Sequence, residues 1–174
     1  RGELMNDAVT PNQTGMAALI GLNSNTIQKI INDNEMKLEI ANDNSPIQVV
    51  VSGDINDINK NKEIFLKNNV KKYIKLNVSA AFHSNYMIDA QKTLSYEIDK
   101  LNFKENNINI ISNFTSDSTN KNLLIKESLQ NQMANKVKWT ESIKKLEEIG
   151  EKEIIEIGPN KVLSGLIKRI SNNF

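Results

Sequence analysis

The chain is organised around the stretch Asn42-Asp43-Asn44-Ser45-Pro46-Ile47-Gln48-Val49-Val50-Val51-Ser52-Gly53. Residues 42–46 are a concentrated turn signal, because Asn, Asp, Ser and Pro all favour turn conformations. Residues 47–51 are rich in β-branched side chains and end at Ser52-Gly53, which is typical of a β-strand. Leu38-Glu39-Ile40, before the turn, is another extended stretch. The pattern predicts two consecutive strands joined by a turn.

The alternation of strands and helices continues on both sides of these two strands. Upstream, residues 16–20 are an apolar strand candidate, and residues 23–31 form a capped helix with three isoleucines on one face. Downstream, residues 54–66 predict a second capped helix, and residues 72–78 alternate polar and apolar side chains as a half-buried strand does. The order over residues 15–78 is β-α-β-β-α-β, the split βαβ or ferredoxin-like arrangement.

The rest of the chain does not repeat this unit. Its apolar spacing predicts helices over residues 87–101, 125–133 and 140–149, and short strands over residues 108–112 and 153–157. The second strand enters Gly158-Pro159 and a last helix, which resembles one end of a parallel α/β sheet. Two strands are too few for an independent sheet with helices on both faces.

The chain begins with Arg1 rather than Met. Together with the shortage of strands, this start leads us to expect a fragment whose missing strands precede Arg1. We expect the second region to expose apolar surface where those strands would pair, so that the isolated chain associates or binds hydrophobic dyes.

Composition excludes several classes of function. The 174 residues include no Cys and one His, which excludes disulfides and thiolate catalysis and leaves little scope for a metal centre. A net charge of +1 with interspersed signs provides no electrostatic footprint for nucleic acid. No apolar run approaches the roughly 20 residues of a membrane span. We therefore expect a cytoplasmic protein that binds neither metal nor nucleic acid nor membrane.

The single histidine is His83, in Ser79-Ala80-Ala81-Phe82-His83-Ser84 after an apolar strand. Its unperturbed pKa, about 6.5, makes it the obvious candidate for proton exchange near neutral pH. A lone histidine is nevertheless more often a packed or surface residue. The residues alone leave both interpretations open.

Short motifs follow one another along the chain: Arg1-Gly2-Glu3-Leu4-Met5, Met16-Ala17-Ala18-Leu19-Ile20-Gly21, the stretch 42–53, Ala81-Phe82-His83-Ser84, Val137-Lys138-Trp139-Thr140-Glu141-Ser142 and Glu156-Ile157-Gly158-Pro159-Asn160-Lys161-Val162-Leu163. This ordered set resembles the malonyl-CoA:acyl carrier protein transacylases, and resembles the stand-alone bacterial enzymes of fatty acid synthesis most. The resemblance implies an α/β-hydrolase-like core, here residues 1–14 and 79–174. A ferredoxin-like small subdomain, residues 15–78, is inserted into it.

The resemblance also implies a ping-pong acyl transfer. A serine attacks the malonyl thioester of coenzyme A, and the phosphopantetheine thiol of acyl carrier protein then attacks the acyl-enzyme. His83 becomes the base that accepts the serine proton. The implied partners are malonyl-CoA and acyl carrier protein, with no cofactor beyond the coenzyme A thioester.

The nucleophile is not expected among these residues. The family serine lies in a Gly-x-Ser-x-Gly elbow, and no such pentapeptide occurs here. Ser84 adjoins His83, but neighbours on an extended segment point to opposite sides. We expect the serine and the oxyanion-hole groups in a missing N-terminal part of the same enzyme, so that this chain alone is inactive.

Four further residues are implied in substrate binding. Arg1 matches the arginine that holds the malonyl carboxylate, although a first residue is often frayed. Phe82 matches a malonyl-selective Ala-Phe-His sequence, with a plain core aromatic as the alternative. Gln132 matches a position whose main-chain carbonyl orients the histidine ring, and Asn44 is a candidate pocket residue. A solvated helix-end glutamine and turn chemistry explain these last two equally well.

Two other functions remain open. The first keeps the family but makes the chain an acyltransferase domain of a polyketide synthase with another acyl substrate. The second is a non-catalytic module that binds the acidic acyl carrier protein on a basic surface of Lys67, Lys71, Lys72 and Lys75. Scattered lysines on a solvated face are the commoner case.

Overall fold

The computed structural model describes residues 1–10 and 12–174 as a mixed α/β fold. The strands are β1 (Thr14–Ile20), β2 (Leu38–Ser45), β3 (Gln48–Asp54), β4 (Lys72–Lys75), β5 (Ile110–Ile111) and β6 (Ser118–Thr119). The helices are α1 (Gly2–Asp7), α2 (Ser24–Asp33), α3 (Ile55–Lys60), α4 (Lys62–Lys67), α5 (Ile88–Asp99), α6 (Asn122–Asn131), α7 (Trp139–Glu148) and α8 (Val162–Ile170). A single 3₁₀ turn, Asn85–Met87, precedes α5.

The first four strands form one sheet in the order β2-β3-β1-β4. Each neighbouring pair is antiparallel, with β1 central between β3 and β4. The elements follow the predicted order β-α-β-β-α-β, with two helices, α3 and α4, in place of the second one. In the sheet, β3 lies between β1 and β2 and so separates the two strands of the first βαβ unit. Local capping supports the connections, since the Asn23 side chain accepts a hydrogen bond from Thr26 N at 2.9 Å at the start of α2.

Alternation along the strands gives the sheet two buried faces. Leu19, Val49 and Val51 point toward the isoleucines of α2 and the Phe65 ring of α4, and together they form the largest apolar cluster. The opposite face carries a smaller cluster of Met16, Ala18, Ala41 and Val50. Because both faces are covered, β1 is buried along nearly its whole length.

The predicted turn over residues 42–46 is wrong in its extent. β2 continues through Ser45, with register shifts between Ile40 and Asn42 and between Asp43 and Ser45. Asn42 pairs with Val50 of β3 and also bridges Val137 on the outer edge. Pairing on both sides outweighs the local turn preference of these residues, because it satisfies their backbone groups.

Two other boundaries differ from the sequence prediction. The second predicted helix is divided at Asn61, whose side chain donates to the Asp57 carbonyl at 3.0 Å and which ends α3 and precedes α4. The strand predicted over residues 72–78 is assigned only over β4, although Leu76 N still donates to Met16 O at 2.9 Å. This strand lies at an edge of the sheet, where pairing on one side alone supports it.

The second region packs mainly through helices. α5 contacts α1 and α6, while α7 and α8 contact each other and β2. Within the described ranges, β5 and β6 form a separate two-stranded ladder, of which β6 was not predicted. None of the helices in these ranges is both long and apolar enough to cross a bilayer.

The strand predicted over residues 153–157 is wrong. Residues 151–157 carry no assigned secondary structure, and Ile157 is 95% exposed. A strand needs a neighbour that accepts its backbone hydrogen bonds, and the strands of the described residues pair elsewhere. The Gly-Pro turn and α8 follow as predicted.

Candidate active site

The loop that carries His83 is anchored at the junction of the sheet and the helical region. Ala80 and Ala81 are fully buried, and Ala81 N donates to the Thr14 hydroxyl of β1 at 3.0 Å. His83 itself adopts a φ of 58°, a left-handed conformation that costs a non-glycine residue free energy. Its backbone N–H donates to Met133 O at 3.2 Å. The surrounding contacts therefore hold the loop in a strained conformation that sets the direction of the imidazole.

Two main-chain carbonyls lie within hydrogen-bond distance of Nδ1 of the His83 ring. Gln132 O lies 3.0 Å from Nδ1, and Asn135 O lies 3.1 Å from the same atom. Carbonyl oxygens only accept hydrogen bonds, so Nδ1 carries the proton in this arrangement. The neutral ring then presents an unprotonated Nε2, which is the form a general base requires.

The surroundings of the ring hold the pKa of His83 below its usual value. Burial is the largest cause, because it disfavours the charged imidazolium. The positive charge of Arg1 also lowers the pKa of His83. The hydrogen bonds to the Gln132 and Asn135 carbonyls raise this pKa, and burial outweighs them. His83 is therefore neutral near pH 7, as proton acceptance demands.

Arg1 lies close enough to His83 for its charge to act on the imidazole. It precedes α1, where its carbonyl accepts from Met5 N at 3.0 Å. Its side chain lines an apolar cavity of about 460 Å³ that Gln132 also lines. The structure thus brings together three of the sequence-predicted residues, Arg1, His83 and Gln132.

His83 also lines a second, more polar cavity of about 410 Å³. Its walls come from α2, from β2 and from residues 134–136 of the loop after α6. No group of three acidic, histidine or cysteine side chains suited to a metal ion occurs within residues 1–10 and 12–174.

Phe82 has a packing role that the sequence left open. Its half-buried ring packs against the cluster of Met16 and Val50 beneath the sheet and also against the cluster of Met87 and Met133 in the helical region. The ring therefore links the two apolar clusters beside His83. This contact supports the alternative of a core aromatic, and a contribution to acyl selectivity stays a prediction.

Asn44 is placed away from the histidine. It is half-buried in β2, and it does not line the cavity that contains His83. Its neighbour Asp43 is the buried polar group here, accepting from Ser24 Oγ at 2.6 Å and from Thr140 Oγ1 at 2.8 Å. The interpretation of residues 42–44 as turn residues had hidden this carboxylate, which fastens α2 and α7 to β2.

Ser84 is excluded for a different reason from the one expected. The segment is not extended at His83, so alternation of side chains does not apply. Ser84 is fully buried, and its hydroxyl donates to Ala81 O at 2.6 Å. This hydroxyl holds the loop together and is not presented to a substrate.

Asn135 is the contact that the sequence did not reveal. It acts through its main-chain carbonyl, and a carbonyl is common to every residue type, so no side-chain signature marks it. Only the fold, which returns residues 132–136 to the His83 loop, identifies it.

Comparisons with known proteins identify the family to which the chain is similar. Residues 1–172 match the acyl transferase domain family. Polyketide biosynthesis protein PksE of Bacillus subtilis (strain 168) is 41% identical over 174 residues, which cover 99% of this chain and 22% of that protein. Malonyl CoA-acyl carrier protein transacylase of the same organism is 36% identical over 174 residues, which cover 98% of this chain and 55% of that protein.

Solved structures match equally well. The crystal structure of an acyl carrier protein S-malonyltransferase from Vibrio cholerae O1 biovar eltor superposes with a TM-score of 0.93 at 32% identity. The match covers 99% of this chain and 57% of that one. The chain therefore spans little more than half the length of this structure and of the B. subtilis transacylase.

Proposed function

The chain belongs to the acyl transferase domain family, and on that basis we propose that it carries the general base of a malonyl-CoA:acyl carrier protein transacylase. The observation that carries the proposal is the His83 ring, with Nδ1 held by two carbonyls and Nε2 left as a free base. The names of the transacylase relative and of the V. cholerae enzyme support malonyl transfer to acyl carrier protein. We propose that the reaction uses no cofactor and that coenzyme A takes part only as the thioester substrate.

In the proposed reaction, His83 moves one proton in each half. Nε2 accepts the proton of the nucleophilic serine as its oxygen attacks the malonyl carbonyl, and the imidazolium then protonates the departing thiolate of coenzyme A. The acyl carrier protein thiol reverses these steps on the acyl-enzyme. The serine is assigned to the Gly-x-Ser-x-Gly elbow of the family, which is not among these 174 residues.

The carbonyl partners suit a base that must remain neutral before it acts. A carboxylate beside Nδ1 would favour the imidazolium strongly, because its full negative charge attracts the proton. The Gln132 and Asn135 carbonyls orient the ring with partial charges only. Burial then keeps the pKa of His83 low enough for proton acceptance near neutral pH.

Arg1 is proposed to hold the free carboxylate of the malonyl group. A guanidinium pairs with a carboxylate through two parallel hydrogen bonds, which the ammonium of lysine does not reproduce. Its proximity to His83 supports a substrate bound with its carboxylate at Arg1 and its thioester near the imidazole. Phe82 is assigned a lesser role, in acyl selectivity, and Asn44, which lines neither the His83 cavity nor the Arg1 cavity, is assigned none.

The small sheet is proposed to be a subdomain of the larger enzyme. Its strand order and antiparallel pairing support a ferredoxin-like unit over residues 15–78. Residues 1–14 and 79–174 are then part of an α/β-hydrolase-like core. In this arrangement His83 lies where the two subdomains meet.

The test is a transfer assay in which this chain is fused behind the N-terminal segment of the B. subtilis transacylase. We expect malonyl transfer from malonyl-CoA to acyl carrier protein, and His83→Ala should reduce it by at least about 100-fold, the effect of losing a general base. Thr93→Ala, at an exposed position on α5 outside the His83 cavity, is the control. Full activity of His83→Ala would remove His83 from the mechanism, and a folded fusion without transfer would argue against the function.

Arg1→Lys in the same fusion tests the carboxylate site. Loss of a charge-assisted hydrogen bond should reduce the preference for malonyl over acetyl by about 10- to 150-fold. Transfer of the acetyl group should change little, because acetyl has no free carboxylate. An unchanged preference would assign the malonyl carboxylate to another residue.

A polyketide acyltransferase is the second candidate. The specific observation in its favour is the 41% identity to a polyketide biosynthesis protein of B. subtilis. The fusion should be offered malonyl-CoA and α-branched acyl-CoA thioesters in competition. Preference for a branched acyl group would favour this candidate over the transacylase of fatty acid synthesis.

The binding-module alternative has one supporting feature, the exposure of Lys72 and Lys75 on the edge strand β4. An acidic carrier protein would bind such a surface more weakly as salt screens the charges. Salt-dependent binding of acyl carrier protein by the unfused chain would support this function, and its absence at low salt would remove it.

A further inference from the structure

The two carbonyls that orient His83 lie on one short loop, and that loop needs its own support. Residues 132–136 follow α6, and Asn135 is exposed. A loop held only at its ends would allow the Asn135 carbonyl to move, and the second hydrogen bond to Nδ1 would be lost. The side chains that fix this loop therefore control the imidazole indirectly.

The Gln132 side chain closes the loop from within. Its Nε2 donates to Asn135 O at 3.0 Å, with a longer contact to Lys136 O at 3.4 Å. The Asn135 carbonyl thus accepts from both the Gln132 amide and the His83 ring. Gln132 contributes twice, through its main-chain oxygen and through its side-chain amide.

Gln91 holds the same loop from the neighbouring helix α5. Its Oε1 accepts a hydrogen bond from Ala134 N at 2.8 Å, midway between the two carbonyls that face His83. Ala90 and Leu94, on the same helix, pack in the cluster that contains Met133 and Ala134. The glutamine therefore extends from a packed helix and satisfies the backbone N–H at the centre of the loop.

We propose that Gln91 and the side-chain amide of Gln132 are positioning residues that keep the His83 ring in its Nδ1-protonated tautomer. Gln91 is needed as an acceptor and Gln132 as a donor. The inference rests on the proposed function, because a fixed tautomer matters to catalysis only if His83 is the base. The positioning itself is measurable without any acyl transfer.

The native charged groups that face the ring are kept in every variant of the test. Arg1 acts on His83 from the start of the chain. Glu39 of β2 and Lys136 of the loop line the polar cavity beside the ring. The variants below leave these three residues in place.

The experiment is ¹⁵N NMR of the imidazole in the 174-residue chain, where a single histidine gives an unambiguous pair of ring signals. At a pH above the His83 pKa, the wild-type protein should show a protonated Nδ1 and an unprotonated Nε2. Gln91→Met removes the acceptor at nearly constant size, and Gln132→Met removes the donor. Each should lower the ratio of the Nδ1-protonated to the Nε2-protonated ring by about fivefold, the effect of one ordinary hydrogen bond.

Glutamate at the same positions separates the two roles. Gln91→Glu keeps an oxygen that accepts from Ala134 N, so it should preserve the wild-type tautomer. Gln132→Glu supplies no donor for the Asn135 carbonyl when ionised, so it should behave like Gln132→Met. Opposite outcomes for one substitution at two positions would not follow from a general loss of stability.

Gln130→Met is the matched control for packing. Gln130 also ties α6 to α5, through Ser95 O at 3.2 Å and Asp99 Oδ1 at 3.0 Å, but it does not contact the loop. It should leave the ring signals unchanged. An equal shift in Gln130→Met, or wild-type signals in both Gln91→Met and Gln132→Met, would overturn the proposal.

If a variant fails to fold, amide hydrogen exchange of the wild-type chain still tests the role of Gln91. The Ala134 amide should exchange with solvent slowly, because Gln91 accepts its hydrogen bond. Rapid exchange of that amide in a folded chain would show that Gln91 does not hold the loop. If the wild-type ring shows the Nδ1-protonated tautomer but the wild-type fusion transfers no malonyl group, the proposed function fails and the positioning proposal stands.

Discussion

The strand β3 and the segment 151–157 each carry three β-branched apolar residues, but they have different structures. Val49 and Val51 of β3 are fully buried between two neighbouring strands and the helices. Ile155 and Ile157 are 76% and 95% exposed, in a segment without a paired strand. The difference teaches that a β-favouring sequence becomes a strand only where neighbours accept its backbone hydrogen bonds and cover its side chains.

The comparison is tested most directly by truncating one large side chain in the apolar cluster that covers β3 and one in residues 151–157. Phe65 is fully buried in the main cluster and stacks on Tyr73 with ring centroids 5.8 Å apart. Phe65→Ala should lower the free energy of unfolding by about 3–5 kcal/mol, because it removes apolar burial and leaves a cavity. Ile157→Ala should change it by less than about 0.5 kcal/mol.

Urea unfolding of both variants, followed by circular dichroism, measures these values. Both substitutions remove a large apolar side chain, one from a buried position and one from an exposed position. A loss at Ile157 comparable to that at Phe65 would mean that residues 151–157 pack against other groups in solution. The contrast between the regions would then be wrong.

The same contrast explains which parts of the fold the sequence predicted. Residues 14–54 supply both the pattern and its partners, so β1, α2, β2 and β3 follow from periodicity and capping. The strand expected at 153–157 has the pattern without a partner among the described strands. Local sequence reports a preference, and long-range pairing decides whether the preference is realised.

The site divides in a similar way. His83 was predicted because it is the only imidazole, and Arg1 and Gln132 were predicted through the family resemblance. Asn135 and Gln91 act through a carbonyl and through a contact with a backbone N–H, neither of which leaves a recognisable pattern. The buried role of the Asp43 carboxylate was not predicted, because Asn and Asp residues in sequence also favour turns.

Glycine substitutions sharpen the comparison at a smaller scale. A Cβ added at Gly53 would lie 2.3 Å from Lys37 O, a main-chain atom that cannot easily move. Gly53→Ala should therefore destabilise the chain by about 1–3 kcal/mol through overpacking. Gly165→Ala in α8 meets no atom within 4 Å and should stabilise that helix by up to about 1 kcal/mol.

Thermal unfolding of both glycine variants checks the opposite signs. If Gly53→Ala is neutral, the approach of the residue 37 backbone to β3 is not rigid. If Gly165→Ala also destabilises the chain, α8 has a neighbour on its exposed face. Either result would revise the boundary between the closely packed and the open part of the molecule.

The stability of the chain should depend on pH through His83, which lies between the sheet and the helical region. Burial keeps the pKa of His83 below the unfolded value of about 6.5, so its contribution to stability is present above that pH and is lost as the pH falls toward the folded pKa. Between about pH 7 and pH 5.5 the unfolding free energy should decrease by at most about 1.4 kcal/mol per pH unit. Because His83 is the only histidine, His83→Gln should remove most of this slope.

Urea midpoints at a series of pH values measure the slope in both proteins. A wild-type stability that rises as the pH falls through this window would require an imidazolium that is stabilised by folding, and the assignment of a neutral base would fail. An equal slope in His83→Gln would assign the titration to another group.

The smallest effect is expected at Glu156, whose side chain anchors the segment that precedes α8. Its carboxylate accepts from Leu163 N at 3.0 Å and Ser164 N at 2.8 Å, and hydrogen bonds from Ser164 hold its pKa below the usual value. The ionised carboxylate should keep these hydrogen bonds above about pH 4.3, the unfolded pKa of Glu. They should be lost as the pH falls through the lower pKa that Glu156 has in the folded chain, because the carboxylate is then protonated. The amide shifts of Leu163 and Ser164 should titrate together in wild-type protein and not in Glu156→Gln.

Glu153→Gln, in the same segment and exposed, should leave that titration intact. Equal behaviour of both glutamine variants would show that Glu156 does not cap α8. If Glu156 alone matters, the end of the segment is held by a helix N-terminus, its start is held by the hydrogen bond from Glu151 N to Leu146 O, and it lacks the strand pairing that β3 has. The capping carboxylate and this hydrogen bond would then account for the order of the segment without any contribution from its exposed isoleucines.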